Sequence, residues 1–112
     1  MKKLEIIIRP TKLQEVKEEL GKIGVKGMTV SEVMGCGLQK GRTAQYRGNQ
    51  YEINLLPKVK IEIIIPDNMI DEIVKGIRDT AATGEIGDGK IFIYPVENAV
   101  RIRTGESGDE AI

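Results

Sequence analysis

The chain repeats itself. Leu13, Val16 and Leu20 recur as Ile70, Ile73 and Ile77, and Glu5-Ile6-Ile7-Ile8 recurs as Glu62-Ile63-Ile64-Ile65, every pair 57 positions apart. The first set has helical spacing and the second alternates like a strand, so the repeated object is a strand followed by a helix. A further extended stretch follows each helix. Two β-α-β units in 112 residues leave few ways to bury two one-sided helices. Side by side they give a β-α-β-β-α-β sheet with both helices on one face. This is an α+β, ferredoxin-like sandwich, and it forms one domain over residues 1–112.

In chain order, residues 2–9 read as a strand that Pro10 stops, with Leu4, Ile6 and Ile8 on one face. Residues 12–23 read as a helix ended by Gly24. Residues 27–34 read as a second strand and Lys58–Ile65 as a third, with Val59, Ile61, Ile63 and Ile65 on one face. A second helix is expected over 69–81, capped by Asp67 or Asn68, and a fourth strand over 91–96. Val100–Thr104 reads as a short fifth extended piece before a polar tail. The sheet face away from the helices would carry Ile7, Val33, Ile64 and Phe92 among Glu5, Thr29, Lys60 and Glu62. Apolar groups in that number are seldom left to water, so the chain is expected to form a homo-oligomer with ligand clefts between subunits.

Between the two units lies Gly35–Lys58, with little helical or strand period before Glu52. A connection of that length inside a small domain is usually functional or disordered, and it reads as the output arm of a sensor. Its first part, G-C-G-L-Q-K-G, offers backbone donors and the Gln39 amide to a small carboxylate or a metal-phosphate, or it is a simple hinge. Tyr46 and Tyr51 flank its tip.

Composition excludes several functions. Lys and Arg number 17, as do Asp and Glu, so the surplus positive charge of a general nucleic-acid binder is missing. The chain has no histidine and one cysteine, Cys36, which removes the usual zinc donors, any intrachain disulfide and the commonest general base. A reducing cytoplasm suits that cysteine count. Ser31 and Ser107 are the only serines, and neither has a base near it in sequence to activate it.

Two stretches suit anions. T-G-E-I-G-D-G-K, Thr83–Lys90, has glycines that let backbone N–H groups approach a ligand and ends in a cation; the alternative is a tight turn into a strand. It precedes a strand, so it is neither a P-loop nor a dinucleotide fingerprint. R-I-R at 101–103 places two guanidinium groups on one side of an extended segment, suited to a polyphosphate or to blunting a sheet edge. With Lys90 they make three cations that could meet on one anion.

Taken together, these residues resemble the PII nitrogen-regulatory signal-transduction proteins. The resemblance runs end to end and is most specific in T-G-E-I-G-D-G-K-I-F-I-Y-P-V, residues 83–96. G-M-T-V-S-E-V at 27–33, P-K-V-K-I-E-I at 57–63 and R-I-R-T-G-E at 101–106 support it. It implies a homotrimer that binds ATP or ADP between subunits, with 2-oxoglutarate joining Mg2+ and ATP. It also implies a T-loop, about 37–55, that docks on targets such as an ammonium channel or nitrogen-assimilation enzymes. Residue by residue, it implies nucleotide contacts from Thr29, Gly35, Gly37, Leu38, Glu62, Ile64, Gly87, Asp88, Gly89, Lys90, Arg101 and Arg103. It implies 2-oxoglutarate contacts from Gln39, Lys40, Gly41 and Lys58, with Gln39 also a Mg2+ ligand when ATP is bound. Arg47 would dock on partners, and Tyr51 matches a tyrosine that some members uridylylate.

The chain departs from the family pattern at several places. Leu38 stands where the family usually has arginine, which puts nucleotide affinity or ATP/ADP discrimination in question, and Cys36 and Thr11 where phenylalanine is common. Asn49 and Gln50 break the pattern before Tyr51, and Asn49 replaces a serine that other members phosphorylate. The competing reading is a small enzyme on the same fold, such as an acylphosphatase-like hydrolase. It would need an arginine–asparagine site near the first turn; Arg9 is present, but no asparagine is near it in sequence.

Overall fold

A computed structural model of the chain describes residues 1–36, 43–46, 49–52 and 55–112. Four strands form one antiparallel sheet: β1 (Lys2–Ile8), β2 (Thr29–Cys36), β5 (Leu55–Ile65) and β6 (Gly89–Pro95), in the order β2-β5-β1-β6. Helix α1 (Leu13–Ile23) joins β1 to β2, and helix α2 (Ile70–Ala81) joins β5 to β6. Each β-α-β unit thus leaves a one-strand gap that a strand of the other unit fills, as the repeat requires. A separate hairpin, β3 (Thr43–Tyr46) with β4 (Asn49–Glu52), lies in the connection where no strand period was read.

The register explains the core. Ile6 lies opposite Ile61 on one side and Ile91 on the other, and Leu4 opposite Ile63 and Ile93. Residues of one parity therefore share a face, and Leu4, Ile6, Ile8, Val59, Ile61, Ile63 and Ile65 are buried there beneath Val16, Leu20, Ile73 and Ile77. Each such side chain contributes roughly 1.5–3 kcal/mol when fully buried. The helices close on each other at Gly76, where an added Cβ would lie 2.8 Å from Ile23 Cδ1 and 3.1 Å from Glu19 Cγ.

Helix limits follow from backbone chemistry. Pro10 opens a 3₁₀ turn, Pro10–Lys12, ahead of α1, its missing N–H falling where none is needed. Gly24 ends α1 at φ 109°, with Val25 N–H on Leu20 O at 3.0 Å and Gly24 N–H on Gly21 O at 3.2 Å. That is a Schellman closure, which only a residue at ease in the left-handed region completes without strain. At α2 the expected Asp67 or Asn68 cap is replaced by a second 3₁₀ turn, Asp67–Met69, with no side-chain cap.

Two expectations need correction. The third strand begins at Leu55, not Lys58, and runs through Pro57. Proline fits because β1 ends opposite Val59, so at Pro57 the strand has only β2 for a neighbour. Val100–Thr104 is not an extended piece. Val100 makes a single bridge to Ser107, Ile102–Thr104 turn, and Gly105 at φ 75° donates its N–H to Arg101 O at 2.8 Å. The tail expected to be merely polar ends in a 3₁₀ turn, Gly108–Ala111.

The centre of the sheet face away from the helices is an ion network of Glu5, Lys60 and Glu62, the residues the sequence places there. Glu5 sits directly opposite Glu62, a like-charge pair that would be unfavourable alone. Lys60 resolves it, 3.6 Å from Glu5 and 3.5 Å from Glu62. Lys3 adds a contact to Glu62 at 3.4 Å and lies 5.4 Å from the centre of the Tyr94 ring. The Tyr94 hydroxyl donates to Glu5 at 2.7 Å and, with Lys60 and Lys3, holds its carboxyl below the usual range. Among the described residues, no helix is long and apolar enough to cross a membrane.

Candidate functional site

The glycine-rich turn Thr83–Lys90 lies where α2 gives way to β6, next to the end of β1 and the start of β5's paired region. Its glycines are needed there. Gly84, Gly87 and Gly89 have φ of 88°, 102° and 111°. At Gly89 an added Cβ would lie 1.7 Å from the Ile7 carbonyl oxygen, so no side chain fits against β1.

Asp88 organises the turn. Its carboxylate accepts from Thr83 Oγ1 at 2.5 Å, Thr83 N–H at 2.7 Å and Gly84 N–H at 3.0 Å, and it pairs with Arg9 Nε at 3.4 Å. Those donors, led by the Thr83 hydroxyl, pull its pKa down to about 2. Arg9 also donates from Nη2 to Ile86 O at 2.9 Å, so β1 and the turn are tied twice.

Lys58 reaches the same turn from β5 and donates to Gly87 O at 2.5 Å. Its stem passes over Gly35, where an added Cβ would meet Lys58 Cγ at 3.2 Å. Partial burial and then the neighbouring Arg9 charge lower its pKa, while Asp88 opposes them. The charges acting on Lys58 are thus one cation, Arg9, and one carboxylate, Asp88, and burial is the larger effect. An anion arriving at Lys58 would offset the cost of burying its charge, with Lys90 a second cation at the far end of the same turn.

The structure therefore brings Gly35, Lys58, Gly87, Asp88, Gly89 and Lys90 together. It also places Thr29 opposite Glu62 in the β2–β5 ladder, and Ile64 opposite Lys3 on the same open face. Glu62 is already engaged by Lys3 and Lys60. A cavity of about 380 Å³ beside the turn is lined by Asp88, Gly89 and Lys90 together with Arg78 and apolar residues of α2, β1 and β6. Arg101 and Arg103 do not line it. Because Ile102–Thr104 turn, the two guanidinium groups do not line one side of a strand. Arg101 is held by Glu106 at 3.3 Å and Glu110 O at 3.2 Å. Tyr51 stands opposite Ala44 in the β3–β4 hairpin. Gly37, Leu38, Gln39, Lys40, Gly41 and Arg47 lie outside the described residues.

Sequence reasoning missed Thr83, and it assigned Arg9 only to a hypothetical acyl-phosphate site. Thr83 carried a local signal, a hydroxyl five residues before an aspartate across a Gly-rich turn. Arg9 carried none, being 79 positions from its partner. With Arg9 committed to Ile86 O and Asp88, the hydrolase reading loses its arginine. Among the described residues there is no cluster of His, Cys, Asp and Glu suited to a metal.

Known proteins bear on this geometry. The family description Nitrogen regulatory protein P-II matches residues 1–106. A Haemophilus influenzae protein of that name is 54% identical over 112 residues, all of both chains. Nitrogen regulatory protein P-II 1 of Escherichia coli K12 is 55% identical over the same full span. Among solved structures, B. subtilis GlnK aligns with TM-score 0.84 at 46% identity, covering 99% of this chain and 97% of that one. A B. subtilis GlnK–ATP complex aligns with TM-score 0.85 at 42% identity, covering 99% and 94%.

Proposed function

The chain belongs to the nitrogen regulatory protein P-II family, a regulatory rather than an enzymatic family, and on that premise we propose that it senses ATP, ADP and 2-oxoglutarate. The observation that carries this reading is Lys58 held on the Gly87 carbonyl. One partly buried cation touches the glycine-rich turn that ends in a second cation, Lys90. A carboxylate effector at Lys58 and a nucleotide at the turn would then share a wall, and each would alter the site of the other. The related GlnK–ATP complex supports the nucleotide half of this reading.

In this reading Gly87, Gly89 and Lys90 hold the nucleotide phosphates, with Glu62 and Ile64 near the ribose and base and Thr29 contributed by the adjacent subunit. Arg101 and Arg103 complete the phosphate site. They do not line the cavity at Lys90 within one chain, and a homotrimer would let a neighbouring subunit supply them. The apolar tip of their turn fits that role: Ile102 is fully exposed and Val100 is 62% exposed. Lys58, with Gln39, Lys40 and Gly41, holds 2-oxoglutarate. The Gln39 amide oxygen would be a ligand for Mg2+ brought by ATP, and the metal would supply positive charge against the phosphates. The 37–55 segment carries the outcome to cytoplasmic targets such as an ammonium channel or nitrogen-assimilation enzymes, through Arg47 and, where modified, Tyr51.

The test is calorimetry with ATP and ADP, with and without Mg2+, followed by 2-oxoglutarate. Saturable binding of both nucleotides is expected, with 2-oxoglutarate binding only when Mg2+ and ATP are present. No heat from either nucleotide would refute the reading.

A further inference from the structure

Asp88 is an odd neighbour for a phosphate. A carboxylate two positions before Lys90 should repel the anion that the turn is read as holding. Its contacts resolve the conflict. A carboxylate has about four acceptor sites. Here Thr83 Oγ1, Thr83 N–H, Gly84 N–H and Arg9 supply four donors, all from the turn itself or from the end of β1. Thr83 Oγ1 also accepts from Glu85 N–H at 3.2 Å, and Arg9 holds Ile86 O at 2.9 Å. Every residue from Thr83 to Asp88 is thus held by at least one of these bonds or by Lys58.

Resting on the nucleotide reading of the same turn, we propose that Asp88, locked by Thr83 and Arg9, is a positioning residue that makes no contact with the bound phosphates. It fixes the path of three glycines at positive φ, Gly84, Gly87 and Gly89, before any ligand arrives. Glycines left free would have to be ordered on binding, at the expense of affinity. The lock acts on the turn as a whole, so it serves ATP and ADP alike. Arg9 gives it a fixed base, because it directly follows β1, an inner strand of the sheet and the one against which β6 pairs.

The experiment measures ATP and ADP affinity by calorimetry, and the ligand-free melting midpoint, for the full chain and for Thr83→Val, Thr83→Ser and Asp88→Asn. Thr83→Val keeps the shape and removes the hydroxyl; Thr83→Ser keeps the hydroxyl. Thr83→Val and Asp88→Asn are expected to weaken both nucleotides by about tenfold or more, and Thr83→Ser to stay within about twofold of the parent. A modest fall in the ligand-free melting midpoint is expected for Thr83→Val and Asp88→Asn alike, since both break bonds within one exposed turn, while Thr83→Ser keeps the parent midpoint. Parent-like affinity in Thr83→Val or Asp88→Asn would overturn the inference while leaving the nucleotide reading intact. So would a loss shared by Thr83→Ser and matched by a fall in melting midpoint, which marks a merely structural role. A parent chain that binds neither nucleotide would overturn the site reading and this inference with it.

Discussion

Gly89→Ala tests the junction between turn and sheet. The new Cβ would lie 1.7 Å from the Ile7 carbonyl oxygen and 2.8 Å from its carbon, at a residue with φ 111°. Close C–H···O contacts sit at about 3.3 Å, so the two strands must part locally by roughly 1.5 Å. Parting them weakens the first β1–β6 pairs, Ile8 with Gly89 and Ile7 with Lys90. One or two backbone hydrogen bonds at about 0.5–1.5 kcal/mol each are then at stake, on top of about 1–2 kcal/mol for a side chain at positive φ. A loss of about 3 kcal/mol follows, or about 12 °C in melting midpoint for a chain of this size. Gly84→Ala is the control: φ is 88°, but nothing lies within 4 Å of the added Cβ. It should lose only about 1 kcal/mol, the conformational part. Thermal denaturation of the two variants, with ATP titrations alongside, separates strain from collision. Gly89→Ala should also bind ATP far less well, because Lys90 moves with it. Equal melting points for the two variants would refute the close-approach reasoning.

Other outcomes follow from the same geometry. Asp88 has its folded pKa depressed from 3.8 to about 2, so the stability it adds is complete above the unfolded value and is lost as pH falls through about 2; Asp88→Asn should flatten the acid limb of stability in that window, read by denaturation at a series of pH values. Gly76→Val should separate α1 from α2 and cost about 1–3 kcal/mol in urea unfolding, whereas Gly76→Ala should change stability by less than about 1 kcal/mol, its helix gain offsetting a small shift of Ile23 Cδ1. Arg103→Ala should weaken ATP binding by about tenfold or more with little change in melting midpoint; unchanged affinity in calorimetry would remove Arg103 from the site.

What was legible in the sequence was periodic. The 57-residue offset gave the order of the main elements, and the alternation of Leu4, Ile6 and Ile8 and of Ile61, Ile63 and Ile65 gave the buried face. What was not legible depended on neighbours. The third strand reads from Lys58 because sequence does not say that β1 ends opposite Val59, which leaves Pro57 a single neighbouring strand. R-I-R looked extended because alternation ignores the turn that Gly105 makes possible. On the open face the sequence already places Glu5, Lys60 and Glu62, but only the register shows Lys60 set between the two carboxylates. At the site, the glycines and Lys90 were visible as a cradle, and Lys58 entered through resemblance. Arg9 could not be placed, since its bonds cross most of the chain.

The central claim is that ligands at the Lys58 and Gly87–Lys90 site change the state of the 37–55 segment. The most direct measurement is the rate of tryptic cutting after Arg47 with ADP, with Mg2+ and ATP, and with Mg2+, ATP and 2-oxoglutarate. The account predicts different rates, with the 2-oxoglutarate effect abolished in Gln39→Ala while ADP binding persists. Equal rates under all three conditions would contradict it.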